Sequence, residues 1–323
     1  MQADILNVNH SIGVYGNVAQ TQRSKTDYIG RFAPSPSGLL HLGSLVAAVG
    51  SYLQTKANVG KWLLRIEDLD PPREVAGATD AILRSLEAHG LHWDENVTYQ
   101  SKRTEIYQEV LDRLLNSHHA YPCSCSRKEI AALANTGELG VIYPGTCRNG
   151  PTQPEREHLS YRLRTKNAFI AFDDIRLGRR SQHLHRDLGD FVIKRTDGYF
   201  AYQLAVVVDD SLQGITEIVR GEDLLSNTPR QIYLQIILGY PTPRYLHLPL
   251  VTNSQGKKLC KQHHAPALKN NKASENIVTA LDFLGHTPPK FLSSAEPVEL
   301  LDWATKNWKP EKLPLFATFK GKN

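Results

Sequence analysis

Residues Tyr28 to Ser44 read YIGRFAPSPSGLLHLGS, and the rest of the chain is organised around them. Tyr28, Ile29 and Phe32 make a short apolar strand, which Pro34 and Pro36 end by fixing φ. Gly38 relaxes the turn. From His41 onward, Leu42, Leu45, Val46, Val49, Tyr52 and Leu53 fall on one helix face. A strand, a tight turn and a helix N-terminus together predict an anion site, because first-turn N–H groups lack intrahelical acceptors and the helix dipole is positive there. His41 adds a donor for a phosphate, and Gly43 leaves room for a flat base or ribose. An ordinary strand–turn–helix with a surface His would begin the same way; the SPSG turn and two later segments separate the two readings.

The chain has 323 residues, enough for one large domain or two ordinary ones. A formal charge of +5 and a pI near 8.9 permit a nucleic-acid partner without demanding one. No apolar run approaches the ~18 residues that span a bilayer, so no membrane partner is expected. Residues 1–25 are polar and lack the basic start and apolar centre of a signal peptide, which predicts a disordered leader and a cytoplasmic chain. Three of the four Cys cluster at Cys123, Cys125 and Cys147, a pattern closer to metal binding than to a secreted disulfide framework.

KWLLRIEDLD at Lys61–Asp70 reads as the second strand of a βαβ unit, with Arg65, Glu67, Asp68 and Asp70 crowding its carboxyl end. Ligands of open α/β sheets bind at such ends, and acids there suit an ammonium or ribose hydroxyls. Ala78–His89 and Thr104–Leu115 are amphipathic helices that would cover the sheet. CSC at 123–125 and YPGTC ending at Cys147 supply three thiolates to a small knuckle. A closed zinc site wants a fourth ligand. Tyr143, as phenolate, is the nearest oxygen donor; His118, His119, His158 or water are alternatives.

In the second half, FVIKRTDGYFAYQLAVVVDD predicts a hairpin, with Tyr199, Phe200 and Tyr202 on the return strand and Asp209 and Asp210 capping Val206–Val208. ITEIVRGEDLL repeats the buried strand with charge at its end; its Arg220 suits a bidentate carboxylate contact. A helix follows from Asn227 to Leu238, then a strand over Tyr245–Val251. NSQGKKLCKQ is a basic loop whose Lys257, Lys258 and Lys261 could fold over phosphates. No GxxxxGK[ST] loop occurs, which excludes ordinary P-loop chemistry.

HLGS at His41–Ser44 and KLCKQ at Lys258–Gln262 resemble the two signature motifs of class I aminoacyl-tRNA synthetases, usually written HIGH and KMSKS. RFAPSPSG and RIED resemble the glutamyl rather than the glutaminyl branch. SPSG, CSC…YPGTC, EIVRG and KLCKQHHAPAL are together most similar to the glutamyl-Q branch, truncated paralogues of the glutamyl enzymes. The likeness runs from about Tyr28 to Pro266. It implies an α/β Rossmann-like catalytic domain over 26–266, a zinc-knuckle insertion at about 120–160, a short helical tail over 267–323 and no anticodon-binding domain.

The resemblance also implies roles. Arg31, Phe32, Ala33, Pro34, Ser35, Glu67, Tyr202 and Arg220 would bind L-glutamate, with Glu67 on the ammonium and the two arginines on carboxylates. His41, Gly43, Ser44, Lys258 and Lys261 would bind ATP, with His41 and Lys261 catalytic and Mg²⁺ accompanying the nucleotide. Cys123, Cys125, Tyr143 and Cys147 would hold one structural Zn²⁺. Ser44 and Cys260 depart from the signatures' His and Ser. Arg127, Lys128, Arg179 and Arg180 are candidates for a basic RNA-facing surface. The implied activity is RNA-independent formation of glutamyl-adenylate by a monomer, then transfer of glutamate onto the queuosine of tRNA(Asp). A truncated synthetase charging a tRNA 3′ end and a non-catalytic zinc RNA-binding module are the competing readings.

Overall fold

The computed structural model describes residues 28–137, 140–251, 266–292 and 294–315. The KLCKQ loop, with Lys258, Cys260 and Lys261, and the leader lie outside the described residues. In chain order, β1 (Ile29–Phe32), α1 (Leu42–Ala57) and β2 (Lys61–Ile66) form the expected βαβ unit, with Ile29 opposite Lys61 and Phe32 opposite Leu64 in parallel register. α2 (Ala78–Ala88) leads to β3 (Thr98–Tyr99), parallel to β2. α3 (Thr104–Asn116) precedes β4 (Ala120–Cys123), and α4 (Arg127–Leu133) with the small β5 (Thr136–Gly137) and β6 (Gly140–Val141) hairpin fills the knuckle. Then come β7 (Ser160–Leu163), β8 (Phe169–Asp174), β9 (Gly178–His183), α5 (Leu184–Asp187), β10 (Phe191–Lys194), α6 (Tyr202–Leu212), β11 (Glu217–Gly221), α7 (Thr228–Leu238) and β12 (Arg244–Leu248). α8 (Ala273–Phe283) and α9 (Pro297–Asn307) complete the described elements.

One ladder runs β1-β2-β3 and another β11-β12-β8-β9, parallel except for β8 with β9. Thr216 N donates to Ile29 O at 2.9 Å and Ile29 N to Thr216 Oγ1 at 3.0 Å, which sets β11 beside β1. Strand order therefore jumps between β1 and β11, the place where open parallel sheets bind ligands. Gly30 lets β1 pack closely on α1: a Cβ there would lie 2.0 Å from Thr55 Oγ1. A separate antiparallel sheet, β10-β7-β4, carries the knuckle.

Two cores flank the parallel sheet. Leu45, Val49 and Leu53 of α1 share one with Ile277, Leu281 and Leu300 of α8 and α9. Leu111, Leu204, Val207 and Ile232 belong to the other, under α3, α6 and α7. α8 and α9 are thus continuous with the α1 core, and Trp308 Nε1 donates to Gln54 Oε1 at 2.5 Å.

The predicted hairpin after β10 is half right. Arg195 N donates to Tyr199 O at 2.8 Å and Lys194 bridges to Phe200, but the chain then turns into α6, so Tyr202 lies on a helix and not on a return strand. Gln203 to Asp210 are all buried, so α6 shows no amphipathic period, and its Val run has strand propensity that tertiary packing overrides. Asp209 and Asp210 consequently cap no strand; they are buried on the last turns of α6. The strand expected over Tyr245–Val251 is β12, ending at Leu248 just before Pro249.

Candidate active site and metal centre

The Pro-rich turn after β1 docks on the acidic turn after β2: Glu67 N donates to Pro34 O at 3.0 Å, and Val75 N to Pro36 O at 3.0 Å. Phe32 is buried in the α1 core, while Ala33 and Pro34 are half-buried and Ser35 is exposed at the rim. Arg31, at the β1 carboxyl end, donates to Asp210 Oδ1 at 3.0 Å and Oδ2 at 3.3 Å. The carboxylate that Arg31 faces here is therefore the chain's own. Arg65 also donates to Asp210, at 2.8 Å, and lies 3.4 Å from Glu67. Burial alone would push the Asp210 carboxyl up; the two guanidiniums outweigh it and hold the group below its ordinary value. Asp209 accepts from Gln100, Arg103 and Tyr107 at 2.6–2.7 Å. Glu67 is different: burial pushes its carboxyl up to about 7, against the pull of Arg65 and Arg31.

Arg220 ends β11. It donates through Nε to His247 Nε2 at 3.2 Å, through Nη1 to Tyr202 Oη at 3.3 Å, and through Nη2 to Thr228 Oγ1 at 2.7 Å and Leu224 O at 3.4 Å. All of these partners are formally uncharged, and among the described residues Arg220 forms no ion pair although it is 5% exposed. Four of its five N–H donors are used, leaving one on Nη1. A buried cation with no counter-charge is costly unless an anion arrives. Tyr202 feels the charges of Arg220, Glu67, Arg31 and Asp210 together, so these groups share one electrostatic neighbourhood. Of the four charged or polar side chains singled out from sequence, Arg220 contacts Tyr202 directly, and Arg31 and Glu67 are linked through Asp210 and Arg65.

His41 is the N-cap of α1. Its Nδ1 accepts from Ser44 N at 3.3 Å, and Ser44 Oγ accepts from His41 N at 2.8 Å, a reciprocal capping box. Ser44 therefore has a structural use that the signature's His could not fill in this way. Using Nδ1 as acceptor puts the neutral ring's proton on Nε2. Gly43 is in the first turn, where helix geometry leaves N–H groups without intrahelical acceptors. His41 bridges to Ala267, and Leu268 N donates to Leu40 O at 2.9 Å, so the chain re-enters beside HLGS directly after the basic loop.

In the knuckle, the Sγ atoms of Cys123, Cys125 and Cys147 all lie within 4.8 Å of one another. Tyr143 Oη lies 3.3 Å from Cys123 Sγ and 3.7 Å from Cys125 Sγ, and it accepts from Cys147 N at 2.9 Å. No His, Asp or Glu among the described residues joins the group, which leaves His118, His119 and His158 outside it. Three thiols and a phenol around one point fit a tetrahedral zinc, whose ~2.3 Å bonds to sulfur set ligands just under 4 Å apart. Hydrogen bonds from Thr152 and Ser124 outweigh burial and bring the Cys147 thiol down to about 6. Burial pushes Cys125 up to about 11 and raises Tyr143, so a cation is what would ionise them. Arg162 supplies one positive charge: its guanidinium stacks 3.8 Å from the Tyr143 ring centre and Nε reaches Cys123 Sγ at 3.3 Å. Gly189, at φ +71°, lets the backbone of Tyr143 lie where a Cβ would be, 2.5 Å from its carbonyl oxygen.

Several of these residues were not legible. Arg162 looks like one alternating strand position, and His247 like a strand His in HLPLV. Thr228 carries no motif. The paired acids after VVV were the available signal for Asp209 and Asp210. Arg127, Lys128, Arg179 and Arg180 are all exposed, and Arg179 pairs with Asp173 at 2.9 Å.

Residues 29–299 match the model of the class I tRNA synthetase (E and Q) catalytic domain. The glutamyl-Q tRNA(Asp) synthetase of Chromobacterium violaceum is 53% identical over 89% of this chain and 95% of its own length. That of Neisseria gonorrhoeae is 51% identical over 90% and 98%. Among solved structures, a glutamate tRNA ligase from Elizabethkingia meningosepticum, in complex with its amino acid, superposes with a TM-score of 0.76 at 26% identity, covering 91% of this chain and 67% of that one. No helix of the described residues is long and apolar enough to cross a membrane. The chain belongs to the class I tRNA synthetases of the glutamate and glutamine branch, and within these ligases to the glutamyl-Q tRNA(Asp) synthetases.

Proposed function

We propose that the chain activates L-glutamate with ATP in the absence of RNA and transfers the glutamyl group to the queuosine at the wobble position of tRNA(Asp). The observation that carries the pocket is Arg220, a buried cation among uncharged partners, set beside Tyr202 and in the same neighbourhood as Glu67. An amino acid with a side-chain carboxylate supplies the missing counter-charge, and Glu67 receives its ammonium. Arg31, Phe32, Ala33, Pro34 and Ser35 form the floor and rim.

An oxygen of the glutamate α-carboxylate attacks the α-phosphorus of ATP. The new P–O bond forms as the bond to the β-phosphate oxygen breaks, and pyrophosphate leaves with that electron pair. The chain contributes alignment and charge stabilisation through the first-turn N–H groups of α1 with His41, Gly43 and Ser44, through the charges of Lys258 and Lys261, and through Mg²⁺ with the nucleotide. A hydroxyl of the cyclopentene diol then attacks the adenylate carbonyl and AMP departs. Zn²⁺ on Cys123, Cys125, Tyr143 and Cys147 would be structural, tying the knuckle to β4.

Glutamate-dependent ATP–pyrophosphate exchange without RNA tests the first step; its absence would favour a non-catalytic module. For the second, tRNA(Asp) trimmed of its terminal CCA but carrying queuosine should accept glutamate, and intact tRNA(Asp) lacking queuosine should not. The opposite pair of results would make the chain a 3′-end charging enzyme.

A further inference from the structure

Arg31 and Arg220 are both buried, yet the chain treats them in opposite ways. Asp210 neutralises Arg31 by direct contact at 3.0 Å. Behind Arg220 an acid, Asp174, stands one residue further back. His247 stands between, with Nε2 3.2 Å from Arg220 Nε and Nδ1 2.6 Å from Asp174 Oδ2. A guanidinium N–H is always a donor, so His247 Nε2 must accept, and the ring proton sits on Nδ1, where Asp174 receives it. Thr228 Oγ1 closes the triangle, 2.7 Å from Arg220 Nη2 and 3.1 Å from His247 Nε2. Asp174 is itself anchored, accepting from the backbone N–H groups of Arg176, Leu177 and His247 at 2.9–3.1 Å. His247 is fully buried, and burial, with the charges of Arg220 and Arg176, holds its ring below the ordinary imidazole pKa against the pull of Asp174.

We infer that Asp174 and His247 form a positioning relay that orients Arg220 without cancelling its charge, and so keep the pocket selective for a side-chain carboxylate. The inference rests on the glutamate-pocket reading above. A carboxylate in direct contact would orient Arg220 equally well but would quench it, as Asp210 does for Arg31. A neutral imidazole supplies the acceptor geometry and passes its own N–H to the anchored acid. The positive charge then remains uncompensated for the substrate, through the one Nη1 donor left over.

The test compares glutamate KM and kcat in ATP–pyrophosphate exchange for wild type, Arg220→Lys, His247→Asn and His247→Gln. Asn loses the acceptor at the Nε2 position, whereas the Gln carbonyl reaches it. His247→Asn should raise glutamate KM roughly 10–100-fold with the ATP KM unchanged and kcat changed less, as expected for about 1–3 kcal/mol lost at one buried polar contact. His247→Gln should recover most of that loss. If Arg220→Lys raises KM and His247→Asn does not, the relay is wrong; if Arg220→Lys has no effect either, the pocket reading fails instead. Should the Asn variant not fold, the Gln variant decides: a KM raised as far as in Arg220→Lys overturns the relay. Independently of any variant, nitrogen spectra of the wild-type ring, correlated to the assigned backbone, should show His247 neutral with its proton on Nδ1. A proton on Nε2 would overturn the inference outright.

Discussion

Asp210 grips Arg31 with two hydrogen bonds of 3.0 and 3.3 Å, joining the end of α6 to the carboxyl end of β1 in a place closed to water. Arg65 shares the same carboxylate. Asp210→Asn would leave two buried guanidiniums without their charge partner, so it should destabilise the fold by about 3–5 kcal/mol. Urea unfolding followed by circular dichroism measures this; a variant as stable as wild type would mean that water already reaches the pair.

Glu67 brings a pH dependence. With its carboxyl pushed up to about 7 by burial, the empty pocket holds it largely protonated below that pH and ionised above it. Only the ionised form would pair with the ammonium in the proposed site. Glutamate KM should therefore rise as pH falls from 8 to 6, and Glu67→Gln should raise KM about tenfold or more and flatten the profile. A wild-type KM constant over that range would remove Glu67 from the ammonium site.

For the knuckle, elemental analysis of purified protein should find one zinc per chain. Cys123→Ser, Cys125→Ser and Cys147→Ser should each lose it. Tyr143→Phe should retain metal but surrender it faster to a chelator, because the thiolates carry most of the ligand charge. Stoichiometric zinc in all three serine variants would place the metal elsewhere.

Gly30→Ala should destabilise the chain by about 1–3 kcal/mol, since the new methyl group meets Thr55 Oγ1 on the facing helix. Thr55 Oγ1 also donates to Ser51 O at 2.7 Å, so it has little reason to turn away. Adding Thr55→Ala should recover part of the loss. Thermal unfolding of the single and double variants gives the coupling; strictly additive effects would show that β1 moves instead.

The strand–turn–helix at Tyr28–Ser44, the second strand ending in RIED, EIVRG and the Cys/Tyr knuckle were all legible in the chain, because each is local. Period, turn residues and the spacing of the Cys and Tyr residues are written within a few tens of positions. The α6 helix was not legible, because a helix buried on all sides has no polar face to mark its period and Val reads as strand. Nor was the difference between Arg31 and Arg220. Each is an arginine closing an apolar strand, and their surroundings come from segments about 180 and 30 positions away. Tertiary packing brings Asp210 against one and His247 against the other. Only that decides which of the two arginines is paired with a carboxylate of the fold and which is held by uncharged partners.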